Sequence, residues 1–287
     1  MKCSKCSEKA VFLVPKFCKK HFIDYFEKKV FETIKKFSLV NPKEKIVVAC
    51  SGGKDSTAVL YLLKKFHKKV VALAIDEGIF GYRNKTLIDL KKFCSKNNIE
   101  LRIYSFEKEF GKTLDEMLKQ KQHPCSVCGI FRRYLMNKYA RGFGKIATGH
   151  NMDDESQAVL MNLMKGNVDL LWHSVPMTKK VGNFVQRIKP LYFCSEKEVA
   201  AYALLKGFEV SFNECLYIKD SFRNQVRDAL NNYELENSGT KLNILKKHLL
   251  MLEKIKFETS FFQYCSVCDE PAKEDICKAC QLIKSFK

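Results

Sequence analysis

The chain has 287 residues, 46% of them hydrophobic, which is enough to form one large buried core with small modules around it. Its 51 Lys and Arg residues outnumber 32 Asp and Glu residues, and the resulting net charge of +19 favours a partner with many phosphates, such as a nucleic acid, over a merely Lys-rich surface. No apolar run reaches the length of a membrane span and the N-terminus has no apolar signal core, so the sequence excludes the membrane and secreted classes and predicts a cytoplasmic protein.

The chain opens with a cysteine-rich module predicted to span residues 1–24. Because thiols stay reduced in the cytoplasm, the 13 cysteines are interpreted as metal ligands, reactive thiols or small core residues rather than as disulfides. Three thiolates and one imidazole in CSKCSEKAVFLVPKFCKKH form a closed tetrahedral set that is typical of structural zinc, and the spacing fits an iron-sulfur site poorly. The predicted zinc ligands are Cys3, Cys6, Cys18 and His21.

An alternation of strands and helices follows and predicts a domain over residues 25–212. The strands are KIVVAC at 45–50, KVVALAID, ELRIYSF and GKIATGH at 144–150, and amphipathic stretches such as STAVLYLLKKF lie between them. These units predict an α/β fold with a right-handed parallel sheet covered by helices on both faces. Beyond VQRIKPLYF the pattern is mostly helical, so residues 213–258 are assigned to a helical segment.

The stretch CSGGKDST, residues 50–57, is the predicted phosphate site. It lies where a parallel strand gives way to a helix, so glycines let the backbone approach a phosphate and the helix N-terminus offers free N–H donors. The spacing is not that of a Walker A loop; it matches the SGGxDS pyrophosphatase loop, which cleaves ATP between its α- and β-phosphates. A tight turn without function is the alternative. The predicted ATP contacts are Ser51, Gly52, Gly53, Lys54, Asp55 and Ser56, with Asp55 also holding Mg²⁺.

A second polar cluster, ATGHNMDDES, follows the fourth strand at residues 147–156. Gly149 permits close approach at the carboxyl end of that strand, where open α/β sheets bind ligands, and His150 is predicted beside it in the ATP site. For Asp153 a helix-capping role is at least as well supported as a functional one, whereas Asp154 is predicted to be functional.

The last module, predicted over residues 259–287, contains CSVCDEPAKEDICKAC. Its four thiolates form a second closed set of the structural zinc type, so neither zinc is expected to keep an open position for chemistry. The predicted ligands are Cys265, Cys268, Cys277 and Cys280.

Together SGGKDS, the mid-chain CSVCG, ATGHNMDDE and the NEC at 213–215, bracketed by two zinc knuckles, resemble the tRNA 2-thiouridine synthetases of the TtuA type. A related group thiolates the wobble uridine of the anticodon. The resemblance implies an N-type ATP pyrophosphatase (PP-loop) fold and ATP-dependent exchange of the C2 oxygen of a tRNA uridine for sulfur. It also implies an oxygen-sensitive [4Fe-4S] cluster held by three cysteines, which leaves one iron open to bind sulfur.

The resemblance also implies roles for particular residues. Of the six cysteines outside the zinc sets it selects three as cluster ligands, namely Cys125, Cys128 and Cys215. Cys50, Cys94 and Cys194 are interpreted as small hydrophobic residues. Ile75 is implied as a further ATP contact. Arg132 stands where the family has a lysine; since Arg cannot deprotonate, it is expected to stabilise charge rather than transfer a proton. Leu216 replaces the proline that usually follows the third cysteine.

The implied reaction has two steps. With Mg²⁺ at Asp55 and Asp154, ATP transfers AMP to the C2 oxygen, and sulfur held at the open iron then attacks C2. Catalytic roles accordingly fall on Asp55, Arg132, Asp154, Cys125 and Cys215. The implied partners are tRNA, bound by Lys and Arg of the zinc modules and C-terminal helices, a sulfur donor that is either a ubiquitin-like thiocarboxylated protein or free sulfide, and a second copy in a homodimer.

Three alternatives stay open from the sequence. A cluster-free thiolation would use a persulfide on Cys125 or Cys215. A PP-loop enzyme that activates a tRNA base for amine attack, as lysidine synthetases do, would not need the three extra cysteines. A zinc-bearing RNA-binding protein with a vestigial loop would not need an intact SGGKDS.

Overall fold

The N-terminal module is joined to the rest of the protein by one long helix. The computed structural model describes residues 1–67, 69–118, 124–211, 215–218, 222–255 and 263–286. A short antiparallel hairpin, β1 (Phe12–Leu13) and β2 (Lys16–Phe17), leads into helix α1 (Lys19–Lys36). The buried face of α1, including Phe22 and Phe26, belongs to the main hydrophobic core. The proposed boundary at residue 24 therefore lies inside α1.

A five-stranded parallel sheet forms the centre of the molecule, in the order β5-β4-β3-β6-β7. The strands are β3 (Ile46–Ala49), β4 (Val70–Asp76), β5 (Glu100–Ser105), β6 (Lys145–Ala147) and β7 (Gln186–Ile188). Ile46 and Val48 face one core cluster and Val47 faces the other, because successive side chains point to opposite faces. The predicted α/β fold with a parallel sheet is confirmed, and the stretch VQRIKP adds a fifth strand that no strand assignment covered.

Helices cover both faces of this sheet, as the sequence predicted. They are α2 (Lys54–Phe66), α3 (Arg83–Lys96), α4 (Phe106–Phe110), α5 (Leu114–Met117), α6 (Pro124–Ala140), α7 (Met152–Met164), α8 (Val168–Leu171) and α9 (Glu196–Leu205). The core on one face contains residues of α1, α2, α3 and α9, and the core on the other contains residues of α4, α5 and α6. Both faces are therefore buried, which accounts for the nearly continuous apolar runs of β3 and β4.

The C-terminal part begins with a short 3-10 helix, Leu216–Ile218, and continues with α10 (Phe222–Glu236) and α11 (Thr240–Lys254). A second small hairpin, β8 (Gln263–Tyr264) and β9 (Pro271–Ala272), and helix α12 (Lys278–Ser285) form the last module, which packs against the α6 side of the sheet. Asn213 and Glu214 of the NEC stretch, and the proposed boundaries at 212/213 and 258/259, lie outside the described residues. Within those residues, every helix is too short or too polar to cross a membrane.

Candidate active site

The phosphate loop connects β3 to α2, and two glycines set its shape. Gly52 has φ +84°, and a Cβ placed on it would lie 2.3 Å from the carbonyl oxygen of Thr86. A Cβ on Gly149, in the loop after β6, would lie 2.7 Å from the backbone nitrogen of Ser56. Both positions therefore exclude a side chain. Gly53 is the N-cap of α2 and contributes no capping side chain, which leaves N–H groups at this helix terminus free for an anion.

Lys54 is held at the mouth of the loop by two carboxylates. Its Nζ lies 3.1 Å from Oδ2 of Asp55 and 2.9 Å from Oε1 of Glu196, at the start of α9. Burial alone would lower the pKa of Lys54, but the charges of Asp55 and Glu196 outweigh it and raise that pKa. Lys54 is therefore a cation at neutral pH, in the position where a polyphosphate would be received.

Asn151 brings the two predicted magnesium ligands together. Its Nδ2 donates to Oδ1 of Asp55 at 3.0 Å, while its Oδ1 accepts the backbone N–H of Asp154 at 3.1 Å. Desolvation raises the pKa of Asp154 to about 6, and the charge of Asp55 acts in the same direction against the opposing charge of Arg223. These residues line a cavity of about 160 Å³. Two carboxylates facing one cavity next to a phosphate loop fit the oxygen ligands that Mg²⁺ prefers.

Asp153 has a different position from the one its sequence suggests. Asn151 is the N-cap of α7, and Asp154 completes the capping box, so Asp153, one of whose two candidate roles was capping, lies in the first turn and is not the N-cap. Asp153 forms a buried ion pair with Lys241 of α11 and accepts the backbone N–H of Glu196 at 2.8 Å. It therefore ties α7 to the C-terminal helices, and it also lines the cavity that Asp55 and Asp154 share.

His150 and Ile75 flank the cleft in different ways. The His150 side chain is exposed, and its Nδ1 lies 2.8 Å from Oγ1 of Thr148. Desolvation by the surrounding cleft, followed by the charges of Lys189 and Arg223, lowers the pKa of His150 well below its usual value, so the imidazole is neutral. The Ile75 side chain is buried in the core, and its carbonyl oxygen accepts from Nε of Arg83 at 3.0 Å.

The three cysteines assigned to the cluster converge from two segments. Cys125 and Cys128 lie on the first turns of α6, which begins at Pro124, a residue suited to the start of a helix. Cys215 immediately precedes the 3-10 helix, and Sγ of Cys125 contacts the carbonyl oxygen of Tyr217 in that helix at 3.5 Å. Burial raises the pKa of Cys215, and the charge of Cys125 raises it further. Burial likewise raises the pKa of Cys128 to about 11.

The spacing of these thiols differs from that of the zinc sets. Among the described residues, only two groups of ligand atoms lie within 4.8 Å of one another, and both are the predicted zinc sets. The thiols of Cys125, Cys128 and Cys215 therefore do not all lie within 4.8 Å of one another, which disfavours a single shared metal ion at this position. Cys50, Cys94 and Cys194 are buried elsewhere, at 4%, 2% and 0% exposure, as small hydrophobic residues would be.

Each zinc set has the geometry of one tetrahedral ion. Sγ atoms of Cys6 and Cys18 are 3.7 Å apart, and those of Cys268 and Cys277 are also 3.7 Å apart. Zinc–sulfur bonds of about 2.3 Å give tetrahedral edges of about 3.8 Å. The donor sets therefore fit structural zinc.

Glu77, which the sequence interpretation missed, links the cysteine helix to the phosphate loop. Its Oε1 lies 3.5 Å from Nε of Arg132, and its Oε2 lies 2.9 Å from Nε of Arg83. Arg83 in turn donates to the carbonyl oxygen of Ser51. The sequence did contain one signal for Glu77: it directly follows β4, at the carboxyl edge of the sheet where ligands bind. One carboxylate therefore connects the helix that carries Cys125 and Cys128 to the phosphate loop.

Comparison with known proteins identifies the family of the chain. A family model described as the PP-loop domain matches residues 24–234. The chain is 39% identical to the tRNA-5-methyluridine(54) 2-sulfurtransferase of Pyrococcus horikoshii, over 98% of this chain and 93% of that protein. It is 32% identical to the cytoplasmic tRNA 2-thiolation protein 1 of Aspergillus niger, over 99% of this chain and 88% of that protein.

One solved structure is similar over the whole length. This is the U34-tRNA thiolase NcsA from Methanococcus maripaludis with its [4Fe-4S] cluster, which has a TM-score of 0.85 and 33% identity. The similarity covers 99% of this chain and 96% of that one, so it includes the zinc modules as well as the central sheet.

Proposed function

The chain belongs to the PP-loop family, and from this membership and its site we propose that it is an ATP-dependent tRNA uridine 2-sulfurtransferase. The enzyme replaces the C2 oxygen of a tRNA uridine with sulfur. Relatives that carry names of tRNA thiolation enzymes match nearly the whole chain, which disfavours both the amine-attack enzyme and the non-catalytic RNA-binding protein. The names of the eukaryotic relatives support a cytoplasmic location.

In the first step ATP activates the base. The N–H groups at the start of α2, with Ser51, Ser56 and Lys54, bind the phosphates, and Gly149 and His150 lie against the nucleotide, whereas Ile75 could support the site only from the core, where its side chain is buried. Asp55 and Asp154 would hold Mg²⁺, which supplies positive charge next to the leaving pyrophosphate. The C2 oxygen attacks the α-phosphate, and the poor oxygen leaving group becomes a good one, AMP.

In the second step sulfur replaces the activated oxygen. Cys125, Cys128 and Cys215 would hold a [4Fe-4S] cluster, which supplies an iron without a protein ligand as a binding position for sulfur. Hydrosulfide arriving at this end of the cleft forms the C2–S bond, the C2–O bond breaks, and AMP and a proton leave. The guanidinium of Arg132 stays charged and stabilises the negative charge that develops on the departing AMP.

The observation that carries this proposal is the connection through Glu77, because it holds the cysteine helix and the phosphate loop to the same edge of the sheet. Two chemistries that need separate residues can thus act on one bound base. The identity of the sulfur donor and a homodimeric state are parts of the proposal that rest on family resemblance.

Nucleoside mass spectrometry tests the proposed reaction. Oxygen-free enzyme, unmodified tRNA transcript, Mg·ATP and sulfide should yield a 2-thiouridine together with equal amounts of AMP and pyrophosphate. Digestion with a base-specific nuclease then locates the product at position 54 or 34, the positions named for two similar proteins. Pyrophosphate release without any thionucleoside would overturn the sulfurtransferase assignment and revive amine attack.

A further inference from the structure

Two arginines have no carboxylate partner within the described residues, whereas the other six arginines do. The other six of the eight arginines form ion pairs with Glu or Asp; these are Arg83, Arg102, Arg132, Arg141, Arg223 and Arg227. Arg133 of α6 and Arg187 of β7 have no such partner in the described part of the chain. Unpaired guanidinium groups beside an active site are suited to binding an anion.

A buried hydrogen-bonded side chain brings these two arginines to the same place. Asn137 accepts the backbone N–H of Val185 at 2.9 Å and donates to Glu270 at 2.6 Å, which fixes the approach of β7 to α6. Arg133 lies one turn before Asn137 on the same helix face, and Arg187 lies in β7, two residues after Val185, which directly precedes that strand. Burial and then the charge of Arg133 lower the pKa of Arg187, consistent with two cations held near each other.

The pair lies between the two halves of the proposed reaction. On one side, the guanidinium of Arg133 covers Gly129, the residue that follows Cys128. A Cβ placed on Gly129 would lie 3.0 Å from Nη1 of Arg133. On the other side, the charge of Arg187 reaches His150 of the ATP cleft, and adds to the desolvation that lowers the pKa of that residue. A base that meets ATP and sulfur must lie in this gap, and its two flanking phosphates must lie close to it.

We propose that Arg133 and Arg187 bind a phosphodiester of the tRNA strand next to the modified uridine, and that this contact positions the base between the phosphate loop and the three cysteines. This inference rests on the proposed function. The ligand is distinct from ATP, whose phosphates are bound at the start of α2. Because the contact is to the backbone, it fixes the register of the strand without reading its sequence.

Salt-dependent binding of an unmodified tRNA transcript to the oxygen-free holoenzyme tests the assignment. Arg133→Gln and Arg187→Gln should each weaken binding roughly tenfold and reduce the slope of log K against log salt by about 0.7 to 0.9. Arg102→Gln is the matched control, because Arg102 pairs with Glu100 at 2.6 Å on the exposed surface of β5 and should leave both values unchanged. Iron content and ATP affinity, measured in the same preparations, report whether the rest of the site is intact.

Lysine variants keep the test decisive if a glutamine variant loses iron or unfolds. Arg133→Lys and Arg187→Lys retain the charge, so they should keep the wild-type slope while binding tRNA less tightly, because lysine lacks the bidentate fork. Wild-type affinity and slope in all four variants would overturn the inference. Normal tRNA binding together with loss of activity only when a protein thiocarboxylate is the donor would also overturn it, and would assign the pair to that donor. If wild-type enzyme makes no thionucleoside but the arginines still set the salt slope, the proposed function fails and the RNA contact stands.

Discussion

Arg132 and Glu77 form an ion pair, with Nε and Oε1 3.5 Å apart, that joins the helix of the paired cysteines to the edge of the sheet. The other carboxylate oxygen of Glu77 bonds Arg83, whose side chain is only 3% exposed. One carboxylate thus compensates two cations, one in each half of the site. Removal of the Glu77 carboxylate would leave the buried guanidinium of Arg83 without a counter-ion. This lowers the free energy of unfolding far more than the loss of a surface ion pair.

Glu77→Gln should accordingly destabilise the protein by about 3 kcal/mol, since breaking a buried ion pair leaves Arg83 uncompensated. Urea unfolding measures the change. Glu100→Gln is the matched control, because Glu100 pairs with Arg102 at 2.6 Å where both side chains are at least 40% exposed. That variant should lose less than about 1 kcal/mol. Equal unfolding midpoints for the two variants would contradict a coupling role for Glu77.

Asp55→Ala should lower AMP and pyrophosphate formation by about 10² or more, because Mg²⁺ on the phosphates loses a carboxylate ligand. Binding of tRNA should stay near the wild-type value, since Asp55 contacts Asn151 and Lys54 in the ATP cleft. Pyrophosphate release and filter binding measure the two effects. Asp24→Ala, which removes an exposed carboxylate on α1, should change neither. Undiminished turnover of Asp55→Ala would remove ATP activation from the proposed reaction.

Magnesium binding should weaken as pH falls through about 6, the raised pKa of Asp154, because protons then compete for a ligand carboxylate. One unit below that pKa the loss is about tenfold. In the absence of metal, the free energy of unfolding changes with pH in the opposite direction. Because the pKa of Asp154 is higher in the folded protein than in the unfolded chain, its contribution to stability is complete below the unfolded pKa and is lost as pH rises through about 6. Isothermal titration with Mg²⁺ at several pH values measures the effect. An unchanged pH profile in Asp154→Asn would assign the titration to another group.

Protein purified without oxygen should be brown and contain about four irons per chain. Cys125→Ser, Cys128→Ser and Cys215→Ser should each lose iron and thiolation, because these thiols converge at the cleft. Cys94→Ser is the control: Cys94 is 2% exposed on α3 and should affect neither. If iron-free protein thiolates tRNA as fast as the iron-loaded protein, a persulfide on these cysteines replaces the cluster in the reaction.

Cys3→Ser should reduce zinc from about two ions per chain to about one and lower the melting temperature, since ligand binding energy is also folding energy. Atomic emission and calorimetry give the two numbers. Ser7→Ala, at an exposed position between the ligands, should leave both unchanged. Full metal content and full stability in the cysteine variant would mean that the N-terminal set was misassigned.

Local patterns were sufficient to predict the sheet and the phosphate loop. Val47 and its neighbours form an apolar run that ends at two glycines, and both signals lie within about ten residues of the chain. Two long-range contacts could not be predicted this way. Glu77 meets Arg132 across 55 positions of sequence, and Asp153 meets Lys241 across 88. No periodicity relates such partners, because the fold alone brings them together.

The N-cap of α7 could not be identified from the sequence for a related reason. Asn151 and Asp153 are both good N-cap types, and they stand two residues apart. The choice depends on where the helix begins, which is set here by the contact of Asn151 with Asp55 and by the ion pair that draws Asp153 toward Lys241. Sequence alone left the zinc sets unambiguous because all their ligands are close along the chain.

Helix α1 has a consequence for the order of events during synthesis. It leaves the ribosome early, yet Glu27 on α1 bonds Tyr202 of α9, a residue 175 positions later, and the ring of Tyr202 stacks on Phe26 at 4.4 Å. The predicted N-terminal zinc ligands can come together before α9 is synthesised, because Cys3 and His21 are separated by only 18 positions. Metal capture can therefore precede docking, so that a closed knuckle holds the start of α1 while its apolar face awaits a partner that is still being translated.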